Sequence, residues 1–301
     1  MKKKAYDVII IGGSYAGLSA AMALARLGRN VLVIDNGNPC NKQAPQSHNF
    51  ITWDGVEPSA IVAKATEQLL SYPTVTFING TATETIKKEH HFEARLEKGE
   101  TFSAKKLLFS SGISDIMPDI KDFPVCWGIS VLHCPYCHGY EERGKRTAVL
   151  ANGHQAYITC MVLYNLTKEI ILLTNGKSTL SKELTGKLKS HQIEIIEKKV
   201  ERILHHQGKI ESIVFEDKSQ MNAPVMYAKI PFKQQCDLPE KMGCEMTEEG
   251  LIKVDENKKT SVYGVYAAGD NTTHGRTISI AVASGTIAAM MMNGELSLEE
   301  F

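Results

Sequence analysis

The chain has 301 residues, 43% of them hydrophobic and 23% charged, and its 34 basic and 34 acidic residues leave a formal net charge of zero. This balance excludes a disordered chain, and with no basic stripe interleaved with aromatics it gives no reason to expect a nucleic-acid or anionic-membrane partner. Seven cysteines, in a chain with room for one large domain or two ordinary ones, are too few and too scattered for a secreted disulfide framework.

The N-terminus imitates a signal peptide, because Lys2, Lys3 and Lys4 precede an apolar run and Ala23-Leu24-Ala25 looks like a cleavage site. Asp7 and the pair Gly12-Gly13 interrupt that run, and it has a better explanation. Residues 6–11 are rich in Val and Ile and predict a fully buried parallel strand. Gly12-Gly13-Ser14-Tyr15-Ala16-Gly17 follows, then a predicted helix over 18–27 stopped by Gly28, then a second buried strand over 31–35 that ends in Asp35. Strand, glycine turn, helix, strand and acidic end make a dinucleotide fingerprint. Gly12 permits the tight turn, the helix start receives a pyrophosphate, and Asp35 suits a ribose 2′-OH. Ser14 replaces the middle glycine, so the backbone approaches a phosphate less closely. No stretch is apolar for long enough to span a bilayer, and a cytoplasmic chain is expected.

Further along, Ser47-His48-Asn49 reads equally as a contact to a nucleotide or as a polar loop. The pentapeptide Cys134-Pro135-Tyr136-Cys137-His138 admits three chemistries: a redox disulfide, c-type haem attachment and, with His133, zinc. Haem attachment needs export. Zinc needs a more open ligand spacing and a second Cys pair. The redox disulfide is therefore expected, with no metal, and His138 beside Cys137 is the candidate acid/base. The remaining cysteines, Cys40, Cys126, Cys160, Cys236 and Cys244, read as buried small hydrophobes, with Cys40 near the nucleotide because it follows Asp35. His90-His91 and His205-His206 read as solvated turns.

A second nucleotide unit starts with a predicted strand over 147–150 and the turn Ala151-Asn152-Gly153-His154-Gln155-Ala156, followed by a helix to about 166 and a strand over 169–173. Ala151 stands in for the first glycine, and Thr174-Asn175-Gly176 sits where an acidic residue would read NAD or a basic one NADP, with only Lys177 nearby. A nicotinamide site and a bare scaffold are equally consistent with it. At the C-terminal end a strand is predicted over 261–267, then Ala268-Gly269-Asp270, then a helix over 277–292. That Asp suits a ribityl hydroxyl, and Met290-Met291-Met292 reads as core packing.

Together these motifs resemble the low-molecular-weight thioredoxin reductase family, over nearly the whole chain. Gly12 to Gly17, Asp35, Ser110-Ser111-Gly112, Cys134 to Cys137 and Ala268-Gly269-Asp270 carry the resemblance in order and spacing. It implies an α/β fold of two Rossmann-like, three-layer ββα domains, the second inserted in the first. The FAD-binding domain would comprise 1–115 and 233–301, and 116–232 would be a central NAD(P)-like domain carrying the redox pair. It implies FAD contacts at Gly12, Ser14, Tyr15, Ala16, Gly17, Asp35, Asn36, Ser47, His48, Asn49, Ala82, Ser111, Gly112, Gly269, Asp270, Thr277 and Ile278. It also implies Cys137 nearest the flavin, Cys134 exchanging with a thiol or disulfide substrate, and a homodimer.

Three departures bear on function. His138 stands where the family usually has Asp, the central unit lacks a full glycine fingerprint, and the family's His-Arg-Arg cluster for NADPH is missing. The segment Cys134-Pro135-Tyr136-Cys137-His138-Gly139-Tyr140-Glu141, with Ser47-His48 and Thr174-Asn175-Gly176, is similar to the flavin-dependent dithiol oxidases. Those enzymes close disulfides in sulfur-containing metabolites and pass electrons to oxygen. The expected activity is thus FAD-dependent thiol–disulfide exchange. Whether NADPH, NADH, ferredoxin or oxygen is the second electron partner stays open, as does a non-catalytic flavin redox sensor.

Overall fold

The computed structural model describes residues 5–301, so Lys2, Lys3 and Lys4 lie outside the described residues. In chain order, β1 (Ala5–Ile11), α1 (Tyr15–Ala25), β2 (Val31–Asp35), α2 (Pro58–Leu70) and β3 (Val75–Asn79) wind a parallel half-sheet. A meander of β4 (Ala82–Lys87), β5 (Phe92–Leu96) and β6 (Thr101–Phe109) then returns the chain beside β1. The chain leaves through β7 (Ile113–Asp115), α3 (Phe123–Cys126), β8 (Val131–Leu132) and α4 (Pro135–His138). The second unit follows as β9 (Thr147–Leu150), α5 (Gly153–Leu163), β10 (Ile170–Leu173), α6 (Lys182–Ser190) and β11 (Glu194–Ile196). Next come β12 (Val200–His206), β13 (Lys209–Phe215), β14 (Gln220–Met221) and β15 (Val225–Ala228). The chain returns through β16 (Phe232–Gln234), α7 (Leu238–Lys241), β17 (Val265–Ala267) and α8 (Ile278–Glu300).

The first sheet runs β3-β2-β1-β6-β5-β4, with β17 also pairing β6, and the second runs β11-β10-β9-β15-β8 with every pairing parallel. Their strands are continuously apolar because both faces are covered. In β1 and β2, Val8, Ile10, Val31 and Val33 pack toward α1 and α8, whereas Ile9, Ile11, Leu32 and Ile34 pack toward the β5 side with Phe92 and Leu96. The second unit repeats this alternation. Val149 and Leu172 meet α5 and α6, while Ala148, Leu150, Ile171 and Leu173 meet the antiparallel β12-β13-β14 layer. Each unit is thus a three-layer ββα sandwich. The two crossings between them pair with each other: β7 lies antiparallel to β16, Ser114 opposite Lys233.

Several elements differ from the sequence expectation. The first helix starts at Tyr15 and ends at Ala25, which leaves Leu27 exposed. The strand expected over 261–267 shrinks to Val265–Ala267, because Gly264 turns at φ +81° and Val265 N–H bonds back to the Val262 carbonyl. The last helix runs on to Glu300, since Glu295 and Glu299 pair with the buried Lys106 ammonium. His205 and His206 end β12 and do not form a turn, and Gly208 N–H donates to His205 Nδ1. Met292 is core, but Met290 is exposed. Cys126, Cys160 and Cys244 are buried and Cys236 is half-buried, whereas Cys40 is exposed. No helix among the described residues is long and apolar enough to cross a membrane.

Candidate active site

The C-terminal ends of β1, β2 and β6, the first turns of α1 and α8, and the α4 loop border one cleft of about 1260 Å³. Of the residues singled out from the sequence, Gly12, Ser14, Tyr15, Ala16, Asp35, Asn36, Ser47, His48 and Ala82 line it. So do Ser111, Gly112, Cys134, Cys137, His138, Gly269, Asp270, Thr277 and Ile278. Gly17 and Asn49 are not among the lining residues. Gly17 is buried, where any side chain would collide with the Gly12 carbonyl, and Asn49 is exposed, with its carbonyl accepting from Ser279 Oγ at 3.1 Å.

The dinucleotide end is built by close backbone approach. Gly12 has φ +105°, and a Cβ there would overlap the Ser110 carbonyl. Asp35 is held at the end of β2 by Gly13 N–H at 2.9 Å and Gly37 N–H at 3.1 Å. Ser14 caps α1 without any side-chain bond to its first turn. Those amides are therefore free to receive an anion, helped by the helix dipole. Four buried polar atoms of lining residues, Ser47 Oγ, Ser111 Oγ, His133 Nδ1 and Gln234 Oε1, have no hydrogen-bond partner in the protein. Orphaned atoms of this kind are rare in an interior. A polar ligand lying along the cleft would satisfy them, and a dinucleotide such as FAD suits both these atoms and the uncapped helix.

The opposite wall carries Cys134 and Cys137. Cys134 is the N-cap of the short α4, Pro135 is its first residue, and Cys137 N–H bonds the Cys134 carbonyl at 3.2 Å. The Cys137 thiol donates to Cys134, and with the N–H groups of Cys137 and Tyr136 and the Lys229 charge it holds the Cys134 thiol down at about 7. Cys137 goes the other way, raised by giving that hydrogen bond, by burial and by the Cys134 charge, with Asp270 raising it further and Arg276 opposing. Cys137 thus faces the Asp270–Arg276 side and Cys134 the Lys229 side. Burial and the His48 charge lower His138, keeping it a neutral imidazole near pH 7. Burial drives His133 down to about 3, so it stays neutral. No group of three His, Cys, Asp or Glu among the described residues is placed to hold a metal ion.

Some of the wall escaped the sequence. Arg276 pairs in two-pronged fashion with Asp115, Nη1–Oδ1 2.8 Å and Nη2–Oδ2 3.1 Å, and Trp127 Nε1 donates to the same carboxylate at 3.2 Å. Its Nε lies 3.9 Å from Asp270, and Cys40 Sγ lies 3.8 Å from that carboxylate. Although Cys40 as a residue is exposed, its sulfur lies against Asp270 on the cleft wall, where desolvation and then the Asp270 charge push the thiol up to about 11. Arg276 is signalled by its place just before α8, but nothing in sequence pairs it with Asp115, far away in the chain.

The second unit is built differently at the same point. Asn152 caps α5, and its Oδ1 accepts from Gly153 N at 2.8 Å, Thr179 N at 2.9 Å and Thr179 Oγ1 at 3.1 Å. Its Nδ2 donates to the Thr174 and Lys177 carbonyls at 3.3 and 2.9 Å. Thr174 Oγ1 bonds the Gly176 carbonyl and Asn175 Oδ1 accepts from Val200 N–H, so these polar groups are spent within the loop.

Residues 6–285 match the family model for pyridine nucleotide-disulphide oxidoreductases. The chain is 33% identical to the thioredoxin reductase tcpT of Claviceps purpurea, over 96% of this chain and 94% of that one. A putative thioredoxin reductase TrxB from Bacillus anthracis superposes with a TM-score of 0.93 at 25% identity, covering 98% of this chain and 100% of the other. An oxidoreductase from Agrobacterium tumefaciens does so with a TM-score of 0.92 at 30% identity, covering 98% and 99%. The glycine turn, the cysteine pair and the return strand of the fold thus converge in a protein that belongs to the pyridine nucleotide-disulphide oxidoreductase family, a thioredoxin reductase-like FAD flavoprotein acting on sulfur groups.

Proposed function

We propose that the protein is a dithiol oxidase that works without NAD(P)H, R(SH)₂ + O₂ giving RS₂ + H₂O₂. Asn152 is the observation that carries this direction. In the first unit the α1 amides open into the cleft. In the second the equivalent helix start is filled by a side chain whose carbonyl and amide are both engaged within the protein. A pyrophosphate would have to break those bonds, and each net hydrogen bond lost costs about 0.5–1.5 kcal/mol.

The chemistry follows thiol–disulfide exchange. A substrate thiolate attacks the Cys134 sulfur of a Cys134–Cys137 disulfide and expels Cys137. The second substrate thiolate attacks the substrate sulfur in the mixed disulfide, closes the product disulfide and releases Cys134. The hydrogen bonds that hold Cys134 at about 7 make it the better leaving thiolate. His138, neutral and beside Cys137, takes a proton from an incoming thiol. FAD, when bound, supplies the two-electron carrier between the reduced pair and dioxygen.

In this reading Gly12, Ser14, Tyr15 and Ala16 hold the pyrophosphate, Asp35 and Asn36 the adenosine ribose, and Gly269 and Asp270 the ribityl chain. Thr277 and Ile278 bring the start of α8 to the flavin edge. Residues 1–115 and 233–301 form the FAD domain, with 116–232 inserted, in a cytoplasmic homodimer. A nicotinamide-fed reductase is the second reading, favoured by the thioredoxin reductase name of the Claviceps relative. Dithiol-dependent oxygen uptake with peroxide release tests the proposal. Full activity in a Cys137→Ser variant, or no uptake with any dithiol, counts against it.

A further inference from the structure

Oxidising a dithiol takes protons off two thiols in a half-buried site, because each sulfur attacks as its thiolate. The expelled Cys137 keeps one as the thiol that donates to Cys134, and the other has to leave. His138 alone cannot export it, because its ring is mostly enclosed and must be neutral again for the second attack. The residue facing it is on the other wall. His48 and His138 meet edge to face, with ring centroids 6.3 Å apart and an interplanar angle of 86°. The His48 side chain is only 13% exposed, and its Nδ1 lies 3.3 Å from Asp54 Oδ2 and 3.6 Å from Glu141 Oε1. Asp54 is two-thirds exposed and reaches solvent.

The loop around His48 is built to hold that ring. Ser47 pairs with Val56 in an antiparallel bridge, and Asp54 Oδ1 accepts from Asn49 N–H at 2.8 Å. Asn49 at φ 60° and Thr52 at φ 70° turn the chain through left-handed positions unusual for residues other than glycine. The loop is also tied to α8 by Ser279 Oγ on the Asn49 carbonyl. Asp54 therefore fixes the His48 ring through one oxygen and the backbone beneath it through the other.

We propose that His48 and Asp54 form the proton outlet of the dithiol site, passing protons from His138 to bulk water, with Glu141 flanking the path. This rests on the dithiol-oxidising reading and assigns His48 a positioning and relay role beyond contact with the cofactor. The path runs from substrate S–H to the His138 ring and across to His48, which delivers the proton to water; hydrogen bonds from Asn49 N–H and His48 keep the Asp54 carboxyl below the usual carboxylate range, so it stays ionised, orients the His48 ring and steadies its charge. No electrons move on it. The electron pair passes from the substrate sulfurs to the Cys134–Cys137 pair and on to FAD when bound, and the exported proton is matched by one taken up when dioxygen becomes peroxide. The charged groups facing His138 are His48, Glu141 and Glu142, and those facing His48 are Asp54, Glu141 and His138.

The test is anaerobic bleaching of the flavin by dithiothreitol, followed against pH in the holoenzyme and in His48→Gln. The expected loss is about tenfold or more, below the about 10²–10⁴-fold of a group that transfers the proton directly because His48 acts through His138, and added imidazole restores part of it while leaving the unaltered enzyme unchanged. Because the His48 charge is one of the causes that lower His138, removing it moves the acid limb of the profile to higher pH. Asp54→Asn, an exposed change that does not threaten folding, gives a smaller loss with the same imidazole rescue. A wild-type rate and profile in both variants overturns the relay alone, as does a loss that imidazole does not mend. No bleaching of the unaltered enzyme by dithiothreitol overturns the dithiol-oxidase reading and the relay with it.

Discussion

The Arg276 guanidinium grips both oxygens of the Asp115 carboxylate, at 2.8 and 3.1 Å, with side chains only 11% and 4% exposed. Asp115 ends β7, where the chain leaves the first unit, and Arg276 stands just before α8, which packs back on that unit. Trp127, in the stretch that follows, donates to the same carboxylate. The pair therefore ties the stretch that leads to the cysteines to the start of α8 at the wall of the cleft. Asp115→Ala leaves a buried cation without its partner, a loss of about 3–5 kcal/mol by the usual cost of breaking such pairs. Urea unfolding of the two proteins checks it, and a change under 1 kcal/mol would show that the cation finds water.

Cys134 should titrate near neutrality. Alkylation of the reduced protein by iodoacetamide, followed at Cys134 by peptide mass, is expected to rise with pH around a midpoint of about 7. The largest cause is the hydrogen bond from the Cys137 thiol. Cys137→Ala removes a donor that stabilises the thiolate, so the midpoint moves up, toward the ordinary thiol value of about 8.5. Cys137→Ser keeps a donor and should shift it less.

Gly12→Ala should give colourless protein. The new Cβ meets the Ser110 backbone, and the residue has to hold φ +105° as well, so the turn beneath the pyrophosphate cannot form. The ratio of flavin to protein absorbance reads this directly. A fully yellow variant would mean that the backbone there gives way at little cost.

Asn152→Ala separates scaffold from site. The cap and its loop bonds are lost, and a cost of about 1–2 kcal/mol is expected from the usual range for N-caps. Dithiol-driven flavin bleaching should be unchanged. A strong fall in that rate, with the stability intact, would place Asn152 in catalysis.

The parallel strands were legible because a sheet covered on both faces leaves unbroken apolar runs, and Gly12 with Asp35 marked the strand–turn–helix–strand unit whose ends border the cleft. The motif at 134–138 was legible as a site, and the structure places Cys134, Cys137 and His138 on the cleft. What the sequence hid was tertiary. The end of α8 depends on Lys106 receiving Glu295 and Glu299. The β17 strand is cut short by one positive-φ glycine. Asn152 read as an ordinary turn residue, and only its five contacts to the 174–179 loop and Gly153 show that it closes the second unit. His48 was legible as a cleft residue, but its partners Asp54 and Glu141 come from separate segments that only folding joins.

The direction of electron flow is tested most directly by anaerobic stopped-flow of the yellow protein against dithiothreitol, NADPH and NADH in parallel. The dithiol is predicted to bleach the flavin within the mixing experiment, with NADPH and NADH leaving it oxidised, and air should then restore the colour with release of peroxide. Rapid bleaching by either nicotinamide, with none by the dithiol, would contradict the account.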